Sequence, residues 1–165
     1  MELILWRHAD AEPAHGESDL ARKLTGKGRK QAVQMAHWLE RRLPDGARIM
    51  ASPAVRAMET AEALARLSGR KVTVMPEIGP GADPVRLLIA AGWPENRHPV
   101  VLVAHQPSLG QLVSFMLWGE ARDMTFRKGA VWWLSNRRRA PSRADSEAVS
   151  VPAVTLRAVA CPDLL

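Results

Sequence analysis

Tyrosine is absent from this chain of 165 residues, phenylalanine occurs twice and cysteine once. So few flat rings weigh against base stacking, the usual way a protein grips single-stranded nucleic acid. The six tryptophans stand mostly within or beside apolar runs, where packing uses them. One thiol, Cys161, closes no internal disulfide, and a reducing compartment is the expected setting. No run approaches the ~20 apolar residues of a membrane span. The first apolar run is too short for a secretory leader, because it follows Glu2 and ends at Arg7. A cytoplasmic protein with neither nucleic acid nor membrane as partner is therefore expected.

What is present fits an ordinary globular chain. Hydrophobic residues make up 47% and charged residues 24%. A chain of this length buries about 70% of the surface it exposes when unfolded, so one domain over residues 1–165 is expected, and a monomer. The net charge is +6 and the sequence pI about 10.4. That balance favours anionic partners, although most of these cations are expected on a solvated surface.

Hydrophobic patterning divides the chain into alternating strands and helices. Glu2 to Trp6 reads as a strand, residues 7–24 as a polar loop, and Lys27 to Leu43 as a helix with Ala32, Ala36, Leu39 and Leu43 on its buried face. Arg48 to Ala51 is a second strand. Ser52-Pro53 then reads as the cap and first position of a helix running to about Leu67. A third strand over Lys71 to Met75 leads through a Gly/Pro-rich loop to a short helix over Pro84 to Ala91. The continuous apolar run "PVVLVA", Pro99 to Ala104, has the composition of a strand buried on both faces. A helix over Pro107 to Trp118 follows, with Leu109, Leu112, Val113 and Met116 as its core stripe. Ala130 to Leu134 and Val151 to Val159 close the chain as an antiparallel pair, Trp132 and Trp133 facing opposite sides. This order implies an α/β fold, a mostly parallel central sheet covered on both faces by helices.

Ligands of such sheets bind beyond the carboxyl ends of the strands. Arg7 and His8 follow the first strand, Ser52 and Arg56 the second, Glu77 the third, and His105 follows "VVLVA". Two helix N-termini face the same edge and add positive partial charge. Two arginines and two histidines so placed suit a phosphate. Arginine forks bind its oxygens and stay charged, a neutral imidazole can attack phosphorus, and a second, protonated imidazole can hold the transferring group. A metal site built on the two histidines is disfavoured by the adjacent arginines.

Four motifs in order carry a family resemblance: Arg7-His8-Ala9; "LTGKGRKQA" from Leu24 to Ala32; "SPAVRAMETA" from Ser52 to Ala61; and "VVLVAHQP" ending in His105 and its neighbours. The chain resembles the histidine phosphatase, or phosphoglycerate mutase-like, superfamily, and its small size and Arg-His-Ala-Asp start are similar to the phosphohistidine phosphatase branch. The resemblance implies a three-layer α/β/α sandwich. It implies a hydrolase in which His8 is the phospho-accepting nucleophile while Arg7, Arg56 and His105 complete the phosphate pocket, with no cofactor and no metal. Glu77 stands near the position of the family's acidic proton donor, with Asp10 and Glu12 as alternatives. The expected partner is a phosphorylated protein bearing phosphohistidine, or else a small phosphoester. A small-molecule phosphomonoesterase or mutase-like enzyme, or a phosphate-binding module without turnover, are the alternative functions.

The chain departs from the family pattern in three places. Ala9 replaces the signature glycine, which is tolerated where the backbone needs no positive φ. Gln106 follows His105 where the acid-phosphatase branch has aspartate. The segment from residue 76 to residue 98 is shorter than a mutase lid. An open pocket suits a phosphate displayed on a large partner. Ser52 is expected to cap its helix, His15, His37 and His98 to lie on the surface, and Arg137-Arg138-Arg139 to form a solvated hairpin tip.

Overall fold

The structure, a computed structural model, describes residues 1–14, 16, 18–136 and 153–165. Six strands form one sheet: β1 (Glu2–Arg7), β2 (Arg48–Ala51), β3 (Val72–Val74), β4 (Val100–Ala104), β5 (Val131–Asn136) and β6 (Val154–Ala160). Their spatial order is β3-β2-β4-β1-β5-β6. The ladders joining β3, β2, β4 and β1 are parallel. Those on β5 are antiparallel, so β5 runs against the other five strands and the sheet is mixed. The antiparallel closing pair is thus β5 and β6. The start expected for β6 at Val151 lies outside the described residues, as do His15 and the Arg137–Arg139 run.

Four helices cover the sheet: α1 (Gly26–Glu40), α2 (Val55–Ser68), α3 (Pro84–Ala91) and α4 (Ser108–Trp118). Alternation along the strands decides which helices meet which face. Ile4, Trp6, Val101 and Val103 point to one side and pack on Met35, Ala36 and Leu39 of α1 and on Ala57, Ala61 and Leu64 of α2. Leu3, Leu5, Val100 and Leu102 point to the other, against Leu87 and Ala91 of α3 and Leu109, Leu112 and Val113 of α4. Every residue of β4 is buried, as its unbroken apolar run requires of a central strand. The result is the three-layer α/β/α sandwich. The two neighbouring tryptophans divide as their alternation demands: Trp133 meets Trp38 of α1 edge to face, and Trp132 stacks on Phe126 on the opposite side. Among the described residues no helix is long and apolar enough to cross a membrane.

Two local expectations are corrected. Helix α2 starts two residues later than the Ser-Pro signal suggests. Its N-cap is Ala54, whose methyl group cannot accept a hydrogen bond, so the helix has no side-chain cap. The polar loop after β1 is also partly ordered. It contains a 3-10 turn, Asp19–Ala21, and a bridge between Ala11 and Leu24.

The start of α1 presses on the backbone just beyond β1. Thr25 caps the helix by accepting the Gly28 N–H, and its own N–H donates to Asp10 C=O at 3.0 Å. A Cβ at Gly28 would lie 1.9 Å from the Asp10 carbonyl oxygen, so only glycine permits this approach, whereas at Gly26 a Cβ meets nothing. Gly28→Ala is expected to destabilise the protein by about 1–3 kcal/mol through forced displacement of the backbone. Gly26→Ala stays within about 0.5 kcal/mol of wild type. Urea unfolding of the two variants checks the contrast.

Candidate active site

Three adjacent strands end at one cleft, and their hydrogen bonding continues past the strand ends. His8 N–H donates to Ala104 C=O at 3.1 Å, Arg7 N–H to Ala130 C=O at 3.0 Å, and Ser52 N–H to Val103 C=O at 3.0 Å. These bonds set His8, His105 and the start of α2 side by side. The cleft, about 610 Å³, is lined by Arg7, His8, Glu12, Asp19, Arg22, Arg56, His105, Gln106 and Lys128, together with Ala11, Pro13 and Pro80.

His8 is buried, and its Nδ1 lies 2.8 Å from the carbonyl oxygen of Ala9. A carbonyl only accepts, so Nδ1 carries the proton of the neutral ring and Nε2 keeps the lone pair. Burial lowers the His8 pKa to about 4. The Ala9 carbonyl opposes that shift, and Arg56, Arg7 and Arg22 add to it. His105 stands with its ring centroid 5.2 Å from that of His8. Burial, then His8 and Arg56, lower its pKa to about 3, with Asp19 acting in the opposite sense. Both imidazoles are therefore neutral at pH 7 in the ligand-free cleft. The protonated second imidazole expected from chemistry alone thus requires an anion to be present first.

The arginines are held by backbone and by one carboxylate. Arg7 Nη1 donates to the Phe126 carbonyl. Burial lowers its pKa, and the guanidinium stays charged. Arg56, 4% exposed, donates from Nη1 to Asp19 C=O at 2.5 Å and from Nη2 to Asp19 Oδ2 at 2.8 Å. Arg22 Nε lies 3.3 Å from the other Asp19 oxygen. Hydrogen bonding from Arg56 holds the Asp19 carboxyl below its usual range and keeps it ionised. Among the described residues, Arg7 Nε, Arg56 Nε and His105 Nδ1 are buried and meet no hydrogen-bond partner. Buried donors in that state mark a place where a ligand supplies acceptors.

Helix α2 ties the parts together. Thr60, one turn beyond Arg56, donates its hydroxyl to Arg56 C=O at 2.7 Å and accepts the Ala9 N–H at 3.1 Å. No described non-glycine residue has a positive φ, so Ala9 adopts its conformation without strain, and its methyl packs with Leu24 and Ala32. Ser52 does not cap α2. Its hydroxyl oxygen accepts the Ala54 N–H at 3.2 Å and lies 2.7 Å from His105 Nε2.

The structure thus brings Arg7, His8, Arg56 and His105 together, and does not bring Glu77 to them. Glu77 is exposed on a 3-10 turn, Pro76–Ile78, and lines a neighbouring groove with Asp83 and Arg86. Asp10 is likewise absent from the cleft wall. It pairs with Lys128 at 2.5 Å and accepts from the Thr25 hydroxyl at 2.8 Å, and the Lys128 bond lowers its pKa. Glu12 does line the cleft. His37 and His98 are exposed. Sequence reasoning missed Asp19, Arg22, Thr60 and Lys128. Asp19 opens a 3-10 turn and Arg22 directly follows it, a spacing too short for a periodic signal, and Lys128 is 118 residues from the carboxylate it meets.

A neutral imidazole between two guanidinium groups and a second imidazole, at the carboxyl edge of a layered α/β sheet, defines a phosphate-handling α/β protein. The chain belongs to the histidine phosphatase superfamily (branch 1), whose family model matches residues 3–79. It is 30% identical over 128 residues to the phosphohistidine phosphatase SixA of Escherichia coli (strain K12), a match covering 75% of this chain and 79% of that protein. It is 31% identical over 137 residues to the SixA homolog of Haemophilus influenzae, covering 76% and 82%. The solved structure of the protein histidine phosphatase SixA complexed with tungstate superimposes with a TM-score of 0.77 at 25% identity, over 99% of both chains.

The two depressed imidazoles link stability to pH. In the unfolded chain both titrate near the ordinary 6.5, so between about pH 6.5 and 4 the unfolded state holds more protons than the folded one. Stability is therefore present above pH 6.5 and is lost as pH falls through that window. Denaturation at pH 7 and pH 4.5 is expected to show His105→Asn losing about 1–2 kcal/mol less than wild type between the two conditions. An equal loss in the two proteins contradicts the assignment.

Proposed function

We propose that this chain is a phosphohistidine phosphatase that works through a covalent phosphohistidine on His8. The observation that carries the reading is the His8 ring itself. Its Nδ1–H is fixed on the Ala9 carbonyl, which leaves Nε2 as a neutral nucleophile within a cleft that presents Arg7, Arg56 and His105. The SixA relatives support the substrate class, and the neighbour's tungstate, a tetrahedral oxyanion, supports an anion in this cleft.

His8 Nε2 attacks phosphorus as the bond from phosphorus to the substrate imidazole breaks. The electron pair passes to that imidazole nitrogen, which takes a proton from solvent. Arg7, Arg56 and His105 bind the equatorial oxygens and oppose the charge that develops on them. The ring of phospho-His8 becomes cationic, and the Ala9 carbonyl accepting from Nδ1 stabilises it. Water then attacks phosphorus, the P–Nε2 bond breaks with its electron pair returning to His8, and inorganic phosphate leaves. An imidazole leaving group needs little help from an acid. That accords with a cleft whose carboxylates are Asp19, held ionised by Arg56, and Glu12. Glu77 takes no part in this scheme. The lone Cys161 supports a cytoplasmic setting, and the substrate is then a phosphorylated protein of that compartment.

Rapid quenching with a phosphohistidine protein is expected to trap phosphate on His8. His8→Ala abolishes both trapping and turnover, and Arg56→Ala lowers kcat about 10²–10³-fold. Trapping on another residue, or hydrolysis of sugar phosphates far faster than of phosphohistidine protein or phosphoramidate, overturns the reading. Glu77→Gln is expected to keep activity on phosphohistidine protein within about twofold of wild type, the size of a surface substitution. A larger loss in steady-state assays restores Glu77 to the mechanism.

A further inference from the structure

Ser52 and His105 are both buried, with relative exposures of 0% and 3%, and their side chains meet at 2.7 Å. The two are not free to drift. Ser52 N–H is bound to Val103 C=O, on the strand that His105 directly follows, so one backbone bond fixes hydroxyl against ring. Ser52 Oγ also accepts the Ala54 N–H at 3.2 Å. That bond uses one of its two lone pairs, which leaves one lone pair and the hydroxyl proton for His105.

The inventory of the ring is equally short. Nε2 is taken by Ser52, and Nδ1 is buried with no partner among the described residues. Nδ1 is thus the nitrogen that remains for an oxyanion in the cleft His105 lines. A neutral imidazole has one N–H. With the proton on Nε2, Nδ1 turns a bare lone pair toward a phosphoryl oxygen, which is repulsive. With the proton on Nδ1, the ring donates to that oxygen, and Ser52 O–H donates to Nε2.

We propose that Ser52 is a positioning residue that holds neutral His105 as its Nδ1–H tautomer and, by turning its hydroxyl from donor to acceptor, lets the ring take a second proton once a phosphoryl group is bound. In the ligand-free cleft Ser52 O–H donates to Nε2. When the phosphoryl oxygens arrive, the proton added to His105 resides on Nε2 and is accepted by the free lone pair of Ser52 Oγ. Both ring nitrogens are then satisfied in both states. The titratable and charged groups around the ring come from three elements: His8, itself neutral, from the end of β1, Arg56 from α2, and Asp19 and Arg22 from the 3-10 turn and the residue after it. The arginines oppose the second proton and Asp19 favours it, so the added anion decides the balance. This role rests on the phosphoryl-transfer reading above, but its first test requires no turnover.

Nitrogen-15 NMR of the ligand-free wild-type protein at pH 7 is expected to show His105 protonated on Nδ1 alone. Adding inorganic phosphate is expected to protonate Nε2 as well and to move the ring titration upward. In Ser52→Ala the neutral ring shifts toward the Nε2–H form. Its kcat falls about ten- to hundredfold, the worth of one hydrogen bond to a charged group, with a smaller change in KM. Phosphate trapping on His8 persists at a reduced rate. An Nε2–H tautomer in the wild-type protein overturns the proposal even if the variant does not fold. So does a Ser52→Ala protein with wild-type tautomer and kcat. Absence of trapped phosphate on His8 in a wild-type protein that shows the Nδ1–H tautomer counts against the catalytic reading and not against the role of Ser52.

Discussion

Two guanidinium groups and two imidazoles share one buried edge of the sheet, and burial beside fixed positive charge governs what this site can do. Burial alone disfavours a charged imidazole, and the arginines disfavour it further, so His8 and His105 are both held neutral. For the nucleophile proposed at His8 that is the useful state, because a neutral ring has a free lone pair. For His105, on the role proposed above, it is the resting state, and a bound anion that offsets Arg56 and Arg22 brings the second proton. The positive edge is tolerated because Asp19 takes both outer nitrogens of Arg56 and part of Arg22, and because Arg7 leans on a backbone carbonyl. The donors left over are the ones that face no protein acceptor.

The order of strands makes this concentration of charge possible. β4 lies between β1 and β2, so the residues that follow all three strands fall on one cleft. Each ladder bond carried beyond a strand end fixes the backbone of a residue at the cleft, and Thr60 binds the His8 segment to the helix that carries Arg56. The close packing of Gly28 on Asp10 serves the same purpose from the side of α1. Positioning here comes from backbone hydrogen bonds and tight contacts and not from long flexible side chains, which is the condition for a preorganised electrostatic site.

The layered fold was legible because each element carries its own periodic signal. "VVLVA" announces a strand covered on both faces, and the stripes of α1 and α4 announce helices that cover it. Arg7, His8, Arg56 and His105 were legible because each follows a strand directly or opens the next helix, where an α/β sheet places its ligand. Ser52 was misread because a serine before a proline satisfies the local rule for a helix start, and only the neighbouring strand supplies the competing partner, His105. Glu77 was misread for a related reason. Its distance along the chain from β3 is right, but the turn it lies on opens into a different groove.

The sequence by itself determined the architecture, the membership of a family and the four side chains that meet in the cleft, since all of these depend on local pattern and on order along the chain. The tertiary structure alone decided the protonation of the two histidines, the carboxylate that restrains the arginines, and the partner of the Ser52 hydroxyl. Those properties arise from burial and from contacts between residues far apart in the chain, Ser52 and His105 among them, where no local pattern reaches. Charge state and hydrogen-bond partner belong to the assembled cleft, because the dielectric and the neighbouring charges that set them exist only once the strands have come together.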